Sequence, residues 1–156
     1  SHTIKIVVKD TKNAASSNYY QNVDAFKFVP VVTVVNDDSA SITYYGMNYA
    51  TNQTGAINSD VHYSDVAGHY AQFTFTGTSV SWIGEKNSNN GSAEVYFDGA
   101  YAATIDTYAA SRKTQQVLYR IDGQTNASHT IKVIVKNAKN PQSSGYFIQV
   151  DAFKYN

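Results

Sequence analysis

Hydrophobic and polar residues alternate along most of the chain, and this alternation predicts β-strands. Residues 70–76 place Ala71, Phe73 and Phe75 on one face of a strand and polar side chains on the other. The Asp98-Gly99 pair between two such segments is typical of a tight hairpin, because both central residues of that turn need positive φ. The predicted strands are 41–45, 70–76, 80–83, 93–97, 100–105, 115–121, 129–136 and 146–155. About eight strands without helical periodicity indicate an all-β fold, an antiparallel β-sandwich or jelly roll.

Residues 1–28 recur at residues 128–155. Seventeen of the 28 positions are identical at a constant offset of 127 residues. Because an interval of that length is the size of a whole domain, we predict that residues 1–28 are the C-terminal hairpin of a preceding repeat and that residues 29–156 form one complete jelly-roll module. The alternative is a free-standing, partly disordered remnant. A hairpin cannot bury its apolar face alone, so we expect residues 1–28 to pack on this module or on a second chain, which would allow self-association.

Composition narrows the classes of ligand. The chain has 12 Lys and Arg against 12 Asp and Glu, and charged residues make up only 15% of it. This balance lacks the electrostatic footprint expected of a nucleic-acid or anionic-membrane partner. The absence of Cys excludes disulfides and thiolate metal sites, and fits either a cytosolic protein or a secreted bacterial one. No apolar run approaches the roughly 18 residues needed to cross a bilayer, so no membrane insertion is expected.

The long connections between strands fall at one end of the predicted sandwich, because successive connections alternate between its ends. They are residues 46–68, 85–91, 106–114 and 137–145. Long loops cost closure entropy and are commonly retained for binding. Aromatic rings can stack on the C–H faces of sugars, and amides, carboxylates and cations can bond to sugar hydroxyls, so this composition favours a glycan. The candidate ligand-binding residues are Trp82, Lys86, Asn87, Tyr108, Arg112, Lys139 and Tyr146.

Each candidate also has a purely structural interpretation. Trp82 shares strand parity with Val80, which is typical of a core residue, and the cations would serve equally as solvated surface charges. Catalytic signatures are missing: the chain has no G-x-S-x-G elbow, H-E-x-x-H pair, phosphate loop or dinucleotide fingerprint. The one compact His/Asp cluster, Asp60, His62 and Asp65, is typical of surface polar residues. We therefore predict that the domain is not an enzyme.

Asp151 lies within the apolar segment 150–153, where its carboxylate needs a partner. Backbone N–H groups or tyrosine hydroxyls could supply that partner. Alternatively, Asp151 is one oxygen ligand of a structural Ca²⁺, with Asn36, Asp37 or Asp38 from the opening segment on the other side. Asp38 and Asp151 are thus the candidate metal ligands.

Residues from Gln72 onward resemble the galactose-binding-like β-sandwich modules attached to bacterial extracellular glycan-degrading enzymes and surface proteins. The matching segments are FTFTGTSVSWIG, AEVYFDG, QQVLY, HTIKV, SSGYF and VDAF, with SITYYG and DVHYSD upstream. The resemblance implies a non-catalytic, eight-stranded jelly roll that binds carbohydrate through loops at one end, often with a structural Ca²⁺ near the first and last strands. Many relatives carry a basic residue just before the glycine of the W-x-G…G loop, where this chain has Asn90.

Two functions agree with these observations. The first is a lectin-like carbohydrate-binding module of a secreted, multi-modular bacterial protein, which would hold its parent on a polysaccharide or cell-surface glycan. A tandem arrangement would raise the modest affinity of one module through effective concentration. The second is a structural spacer or adhesin repeat, which links modules through the duplicated hairpin and binds no sugar.

Overall fold

The computed structural model describes residues 3–26 and 31–156, and the chain divides into two units, residues 1–30 and 31–156. Residues 3–26 contain turns and bends but no strand. Apolar side chains of this segment are exposed, among them Ile4, Ile6 and Val8. No strand is assigned within residues 3–26, and the assignment of residues 1–28 to the C-terminal hairpin of a preceding repeat stays a prediction.

The second unit is built almost entirely of strands, which confirms the all-β prediction. A 3-10 helix, Ile57–Ser59, interrupts them once among the described residues. The strands are β1 (Thr33–Asn36), β2 (Ile42–Tyr45), β3 (Asn48–Thr51), β4 (Asp60–Ser64), β5 (Tyr70–Gly77), β6 (Val80–Lys86), β7 (Ser92–Phe97), β8 (Ala100–Asp106), β9 (Lys113–Ile121), β10 (Ala127–Val135), β11 (Ile148–Val150) and β12 (Ala152–Tyr155). No helix in the described part of the chain is long and apolar enough to cross a membrane.

The strands form three antiparallel sheets. Their orders are β1-β12-β6-β9, β2-β5-β10-β7-β8 and β11-β4-β3. Alternate side chains of the two larger sheets enter a shared core, as the strand period of two requires. Phe73 of β5 stacks on Phe153 of β12, with ring centroids 5.2 Å apart and planes 15° apart. The core thus lies between the four-stranded and five-stranded sheets, which confirms the antiparallel sandwich.

The C-terminal segment departs from the prediction of one strand over 146–155. It breaks at Asp151, so that β11 pairs with β4 in the small sheet while β12 pairs with β1 and β6 in a larger one. The Asp151 N–H donates to the Ile83 carbonyl at 3.0 Å, and the Asp151 carbonyl accepts from the Asp37 N–H at 3.1 Å. These bonds fix Asp151 at the junction between two sheets.

Candidate functional site

The four long connections predicted at one end of the sandwich meet there, although the first, residues 46–68, contains β3, the 3-10 helix and β4 and is not a loop. The Asn87 N–H in the second loop donates to the Thr107 carbonyl in the third at 3.2 Å. The Asn140 amide in the fourth loop donates to an Asp106 carboxylate oxygen at 2.9 Å. Backbone and side-chain hydrogen bonds therefore hold these loops as one surface.

An ion pair between half-exposed Arg112 and buried Glu85 connects the third loop to the first and second. Arg112 Nε donates to Glu85 Oε2 at 2.6 Å, and Arg112 Nη1 donates to the Thr54 carbonyl at 2.9 Å. Glu85 is only 5% exposed, and its other carboxylate oxygen accepts from the Asn87 amide at 3.3 Å. Because a buried carboxylate without a partner is strongly unfavourable, Arg112 is needed to hold Glu85 at this position.

A cleft of about 220 Å³ opens beside Glu85. Two aromatic rings, Tyr63 of β4 and Phe147 just before β11, lie in its wall with centroids 6.1 Å apart. Asn89 and Asn90 also line it, and each has a buried Oδ1 atom without a hydrogen-bond partner. The remaining lining residues are Ala50, Gln53, Val61, Glu85 and Gln149. Aromatic surface beside unpaired acceptors suits a ligand that carries both C–H faces and hydroxyl or amide donors.

Asn90 is the most deeply buried polar residue that lines the cleft. It is 1% exposed, and its amide nitrogen donates to the Glu85 carbonyl at 3.0 Å, which fixes the orientation of the side chain. The free Oδ1 atom is an acceptor already removed from bulk water. Buried acceptors of this kind are rare in folded proteins, and a ligand donor would reach this one only after the side chains that cover it shift.

Trp82 does not reach the cleft surface. Its side chain is 0% exposed within the core, and its indole N–H donates to the Gln149 carbonyl at 3.0 Å. The ring therefore has no free face for a sugar, in agreement with the core interpretation of its strand parity. Its contribution to the cleft is indirect, because it supports the backbone of Gln149, a lining residue.

The other six predicted residues lie at the loop end but not in the wall of the cleft. Asn87 and Tyr108 form an isolated bridge between loops. Lys86 donates to the Asp106 carbonyl at 3.2 Å. Lys139 stands 4.7 Å above the ring of Tyr146. Arg112 adjoins the cleft through Glu85 alone. Sequence reasoning placed Asn89 and Asn90 at this end without choosing them as ligand-binding residues, and it missed Gln53, Tyr63, Phe147 and Gln149.

Parts of that set carried a signal in the sequence. Tyr63 belongs to the DVHYSD segment. The segment was considered only for its His and Asp residues, as a possible catalytic or metal site, and its tyrosine was overlooked. Asn89 and Asn90 lie in the loop that the glycan hypothesis selected. Phe147 and Gln149 gave no signal, because they line the cleft only as a result of the strand break at Asp151.

An acidic cluster lies at that break. Asp37, Asp60 and Asp151 are all buried, at 0%, 6% and 2% exposure. Burial raises the pKa of Asp151 to about 6, and the nearby charges of Asp37 and Asp60 act in the same direction. The Ile57 N–H opposes this by donating to Asp151 Oδ1 at 2.8 Å. At the junction between β11 and β12, burial therefore disfavours the charged form of Asp151.

Neighbouring polar side chains form hydrogen bonds to Asp37 and Asp60. His62 Nδ1 lies 2.8 Å from Asp37 Oδ2, and burial nevertheless raises the pKa of Asp37. Burial acts to raise the pKa of Asp60 as well, but hydrogen bonds from Asn36 at 3.0 Å and Tyr49 at 2.8 Å lower it overall. The fold thus favours the charged form of Asp60 and disfavours the charged forms of Asp37 and Asp151.

The fit of this cluster to a metal ion is partial. Among residues 3–26 and 31–156, no group of three or more His, Cys, Asp or Glu side chains has an arrangement that could hold a metal. The buried Oδ1 atoms of Asn36 and Asp37 nevertheless lack hydrogen-bond partners, and oxygen atoms are the ligands that Ca²⁺ prefers. Asp38, the predicted ligand, is exposed and accepts from Asn36 at 2.9 Å, whereas Asp37 is the buried residue of the pair. In the chemistry of their oxygen atoms, Asn36, Asp37 and Asp151 fit Ca²⁺.

Comparison with known sequences associates this fold with carbohydrate-active proteins. No family model matches the chain. It is 32% identical over 105 residues to an A type blood N-acetyl-alpha-D-galactosamine deacetylase of Flavonifractor plautii, a match covering 67% of this chain and 14% of that protein. It is 29% identical over 123 residues to an A type blood alpha-D-galactosamine galactosaminidase of the same organism, covering 79% and 11%. The chain thus spans only a small fraction of the length of these curated relatives.

Solved structures support the same architecture. A two-domain esterase active on acetylated mannans aligns with a TM-score of 0.62 at 14% identity, over 80% of this chain and 36% of that one. A xanthan lyase of Paenibacillus aligns with a TM-score of 0.59 at 16% identity, over 80% and 13%. These similarities show the β-sandwich fold. The two sequence relatives, which are named as carbohydrate-active enzymes, each contain a segment similar to this chain.

Proposed function

We propose that the second unit is a non-catalytic carbohydrate-binding module and that a glycan occupies the cleft beside Glu85. One observation carries this proposal: the cleft places two aromatic rings beside the unpaired buried Oδ1 atoms of Asn89 and Asn90. A sugar ring would pack on Tyr63 and Phe147, while its hydroxyls would bond to the polar side chains that line the cleft. The small share of the enzyme relatives that the chain matches supports an accessory role.

The names of the two sequence relatives suggest which glycan to test first. Both refer to A type blood sugars built on galactosamine. An N-acetylgalactosamine residue carries an amide group that could bond to the polar side chains of the cleft, together with a C–H face for the aromatic wall. We therefore take a glycan ending in N-acetylgalactosamine as the ligand. The module would hold a secreted or surface-bound multi-modular bacterial protein on that glycan.

The proposal includes a structural Ca²⁺ at the acidic cluster. Its support is the pair of unpartnered buried oxygen atoms on Asn36 and Asp37, beside the raised pKa of Asp151. A bound Ca²⁺ would supply positive charge that neutralises buried carboxylates. The protein's own contribution is to fix these oxygen atoms at the junction of β11 and β12, next to the backbone that leads to the cleft.

Isothermal titration calorimetry with blood group A trisaccharide tests the cleft, and the H disaccharide, which lacks N-acetylgalactosamine, serves as the comparison ligand. Tyr63→Ala and Phe147→Ala should each weaken binding about fivefold, the effect of losing roughly 1 kcal/mol of aromatic packing. Tyr45→Ala is the matched control, because Tyr45 is an exposed tyrosine on β2, outside the cleft. Unchanged affinity in both cleft variants would refute this location.

The spacer or adhesin repeat is the second candidate function, and the duplication of residues 1–28 favours it. Exposed apolar side chains such as Ile4, Ile6 and Val8 give that segment a reason to associate with another surface. Under this alternative, a folded protein would bind no glycan on an array. It would also form oligomers, in sedimentation velocity experiments, that disappear when residues 1–28 are deleted.

A further inference from the structure

The outer face of the five-stranded sheet carries a polar surface that the cleft does not use. Side chains of β10 alternate between two environments: Ile131 and Val133 are buried in the core, whereas Thr130, Lys132 and Ile134 lie on the opposite face. The same alternation in β5 and β7 adds further polar and aromatic groups to the outer face.

These groups form a row that crosses the whole sheet. Thr43, Gln72, Lys132, Tyr96 and Tyr101 are register neighbours on five adjacent strands. At a strand spacing of about 4.8 Å, the row spans roughly 19 Å. Tyr96 and Tyr101 meet edge to face at its end, with ring centroids 5.8 Å apart. The row therefore offers a continuous path for an extended ligand lying across the strands.

A depression of about 600 Å³ lies over the middle of this row, at Gln72, Lys132 and Tyr96. The residues lining it include Gln72, Tyr96, Asp98, Thr130, Lys132 and Ile134. An aromatic ring, a hydroxyl, an amide and a cation are thus available on one open surface. The depression is distinct from the cleft, whose walls come from β3, β4, β11 and the loop after β6.

Lys132 supplies the unpaired charge of this surface. Glu94 is paired with Lys136 at 3.0 Å, and Asp98 accepts from His129 at 2.7 Å. Among the residues that the structure describes, no carboxylate lies within ion-pair distance of Lys132. Its ammonium group stands instead 3.6 Å above the ring of Tyr70. Asp98 is the one carboxylate among the lining residues and already accepts from His129 and from the Thr130 N–H, which leaves Lys132 as a lining cation without a carboxylate partner that an anionic ligand could supply.

We propose that this sheet face is a second glycan-binding site, which takes an extended acidic glycan and pairs a sugar carboxylate with Lys132. The C–H faces of the sugars would pack on Tyr96 and Tyr101, as aromatic rings favour. Sugar hydroxyls would bond to Gln72 and Thr130. Two sites on one rigid sandwich would let the module bridge a neutral and an acidic glycan, and simultaneous binding would raise the overall affinity.

A hexamer of galacturonic acid and its fully methyl-esterified form test the proposal, because the ester keeps the chain but removes the charge. Isothermal titration calorimetry should detect binding of the acid form, weakened by added salt, and little binding of the ester. Lys132→Gln should lower affinity for the acid form about tenfold, the usual effect of losing a charge-assisted hydrogen bond. Lys132→Arg should retain most of that affinity. Lys113→Gln is the control, because Lys113 is an exposed lysine on the other large sheet.

Each other outcome overturns the proposal. Equal binding of acid and ester would remove the role of charge, and unchanged affinity in a folded Lys132→Gln variant would remove the role of this face. Absence of binding by the folded wild type would exclude the acidic glycan. Tyr63→Ala separates this test from the cleft proposal, because it should weaken binding of the blood group A trisaccharide and leave binding of the galacturonic acid hexamer intact.

Discussion

Replacing Asp151 by Asn should stabilise the calcium-free module at neutral pH. Burial, together with the charges of Asp37 and Asp60, raises the pKa of Asp151 from its ordinary 3.8 to about 6. An acid whose pKa rises on folding contributes stability below its unfolded pKa, and that contribution is lost as the pH rises through the folded value. At pH 7 the charged form is therefore a cost to the fold, and Asn removes the charge.

The structure sets the size of the effect. The rise in the pKa of Asp151 from 3.8 to about 6 corresponds to a loss of about 3 kcal/mol in the free energy of unfolding, at roughly 1.4 kcal/mol per pKa unit. Asn keeps an Oδ1 acceptor for the Ile57 N–H, so the 2.8 Å bond seen for Asp151 can persist. The full value is an upper limit, because the new amide must also find acceptors. We expect a gain of about 1 to 3 kcal/mol, or roughly 3 to 10 °C in melting temperature.

Thermal unfolding followed by circular dichroism, in EDTA at pH 5.0 and 7.5, measures this gain. The difference between the wild type and Asp151→Asn isolates one group from the other titrating residues, and it should be larger at pH 7.5. Exposed Asp65 provides the control, and Asp65→Asn should leave both melting temperatures unchanged. If Asp151→Asn melts below the wild type at pH 7.5 in EDTA, the reasoning fails. Under the Ca²⁺ proposal, added Ca²⁺ should raise the melting temperature of the wild type but not that of the variant.

Three further substitutions test other parts of the fold. Trp82→Ala should cost about 3 to 5 kcal/mol in urea unfolding, because it empties a fully buried indole site; lost glycan binding with unchanged stability would contradict this role. Arg112→Gln should cost about 1 to 2 kcal/mol, a buried-pair loss reduced by the partial exposure of Arg112, and adding Glu85→Gln should recover part of it. The hydrogen bond to Asp98 raises the pKa of His129, so wild-type stability should fall as the pH rises through that value. In urea titrations at pH 5.5 and 8, His129→Gln should show a smaller fall in stability than the wild type, because the contribution of Asp151 remains.

The alternation of polar and apolar residues was sufficient to predict most of the strands. In β5 and β10, every second side chain is buried, and the period of two is visible in the sequence. The strands β1, β3 and β4 were missed. They are only four or five residues long, and the first two have no buried residue to produce a pattern. Short strands at the edge of a fold depend on their neighbours for definition.

The candidate site was predicted at the level of loops but not of side chains. Strand parity correctly indicates which connections share one end of a sandwich, because each strand crosses it once. It does not indicate that Asp151 divides the last strand between two sheets, and this break is what brings Phe147 and Gln149 into the cleft wall. The break depends on hydrogen bonds to Ile83, Asp37 and Ile57, all distant from Asp151 in sequence.

The duplicated segment shows why a strand pattern alone does not make a strand. Ile4 corresponds to Ile131 in the repeat, yet Ile4 is 71% exposed while Ile131 is fully buried. In the second copy, β10 is hydrogen-bonded to β5 on one side and to β7 on the other. Residues 3–26 carry the same alternation but form no strand. Because β10 already occupies the position between β5 and β7, the first copy can adopt the equivalent position only in a sheet that lacks its own β10. The position equivalent to β10 in the sheet of residues 31–156 is therefore already filled.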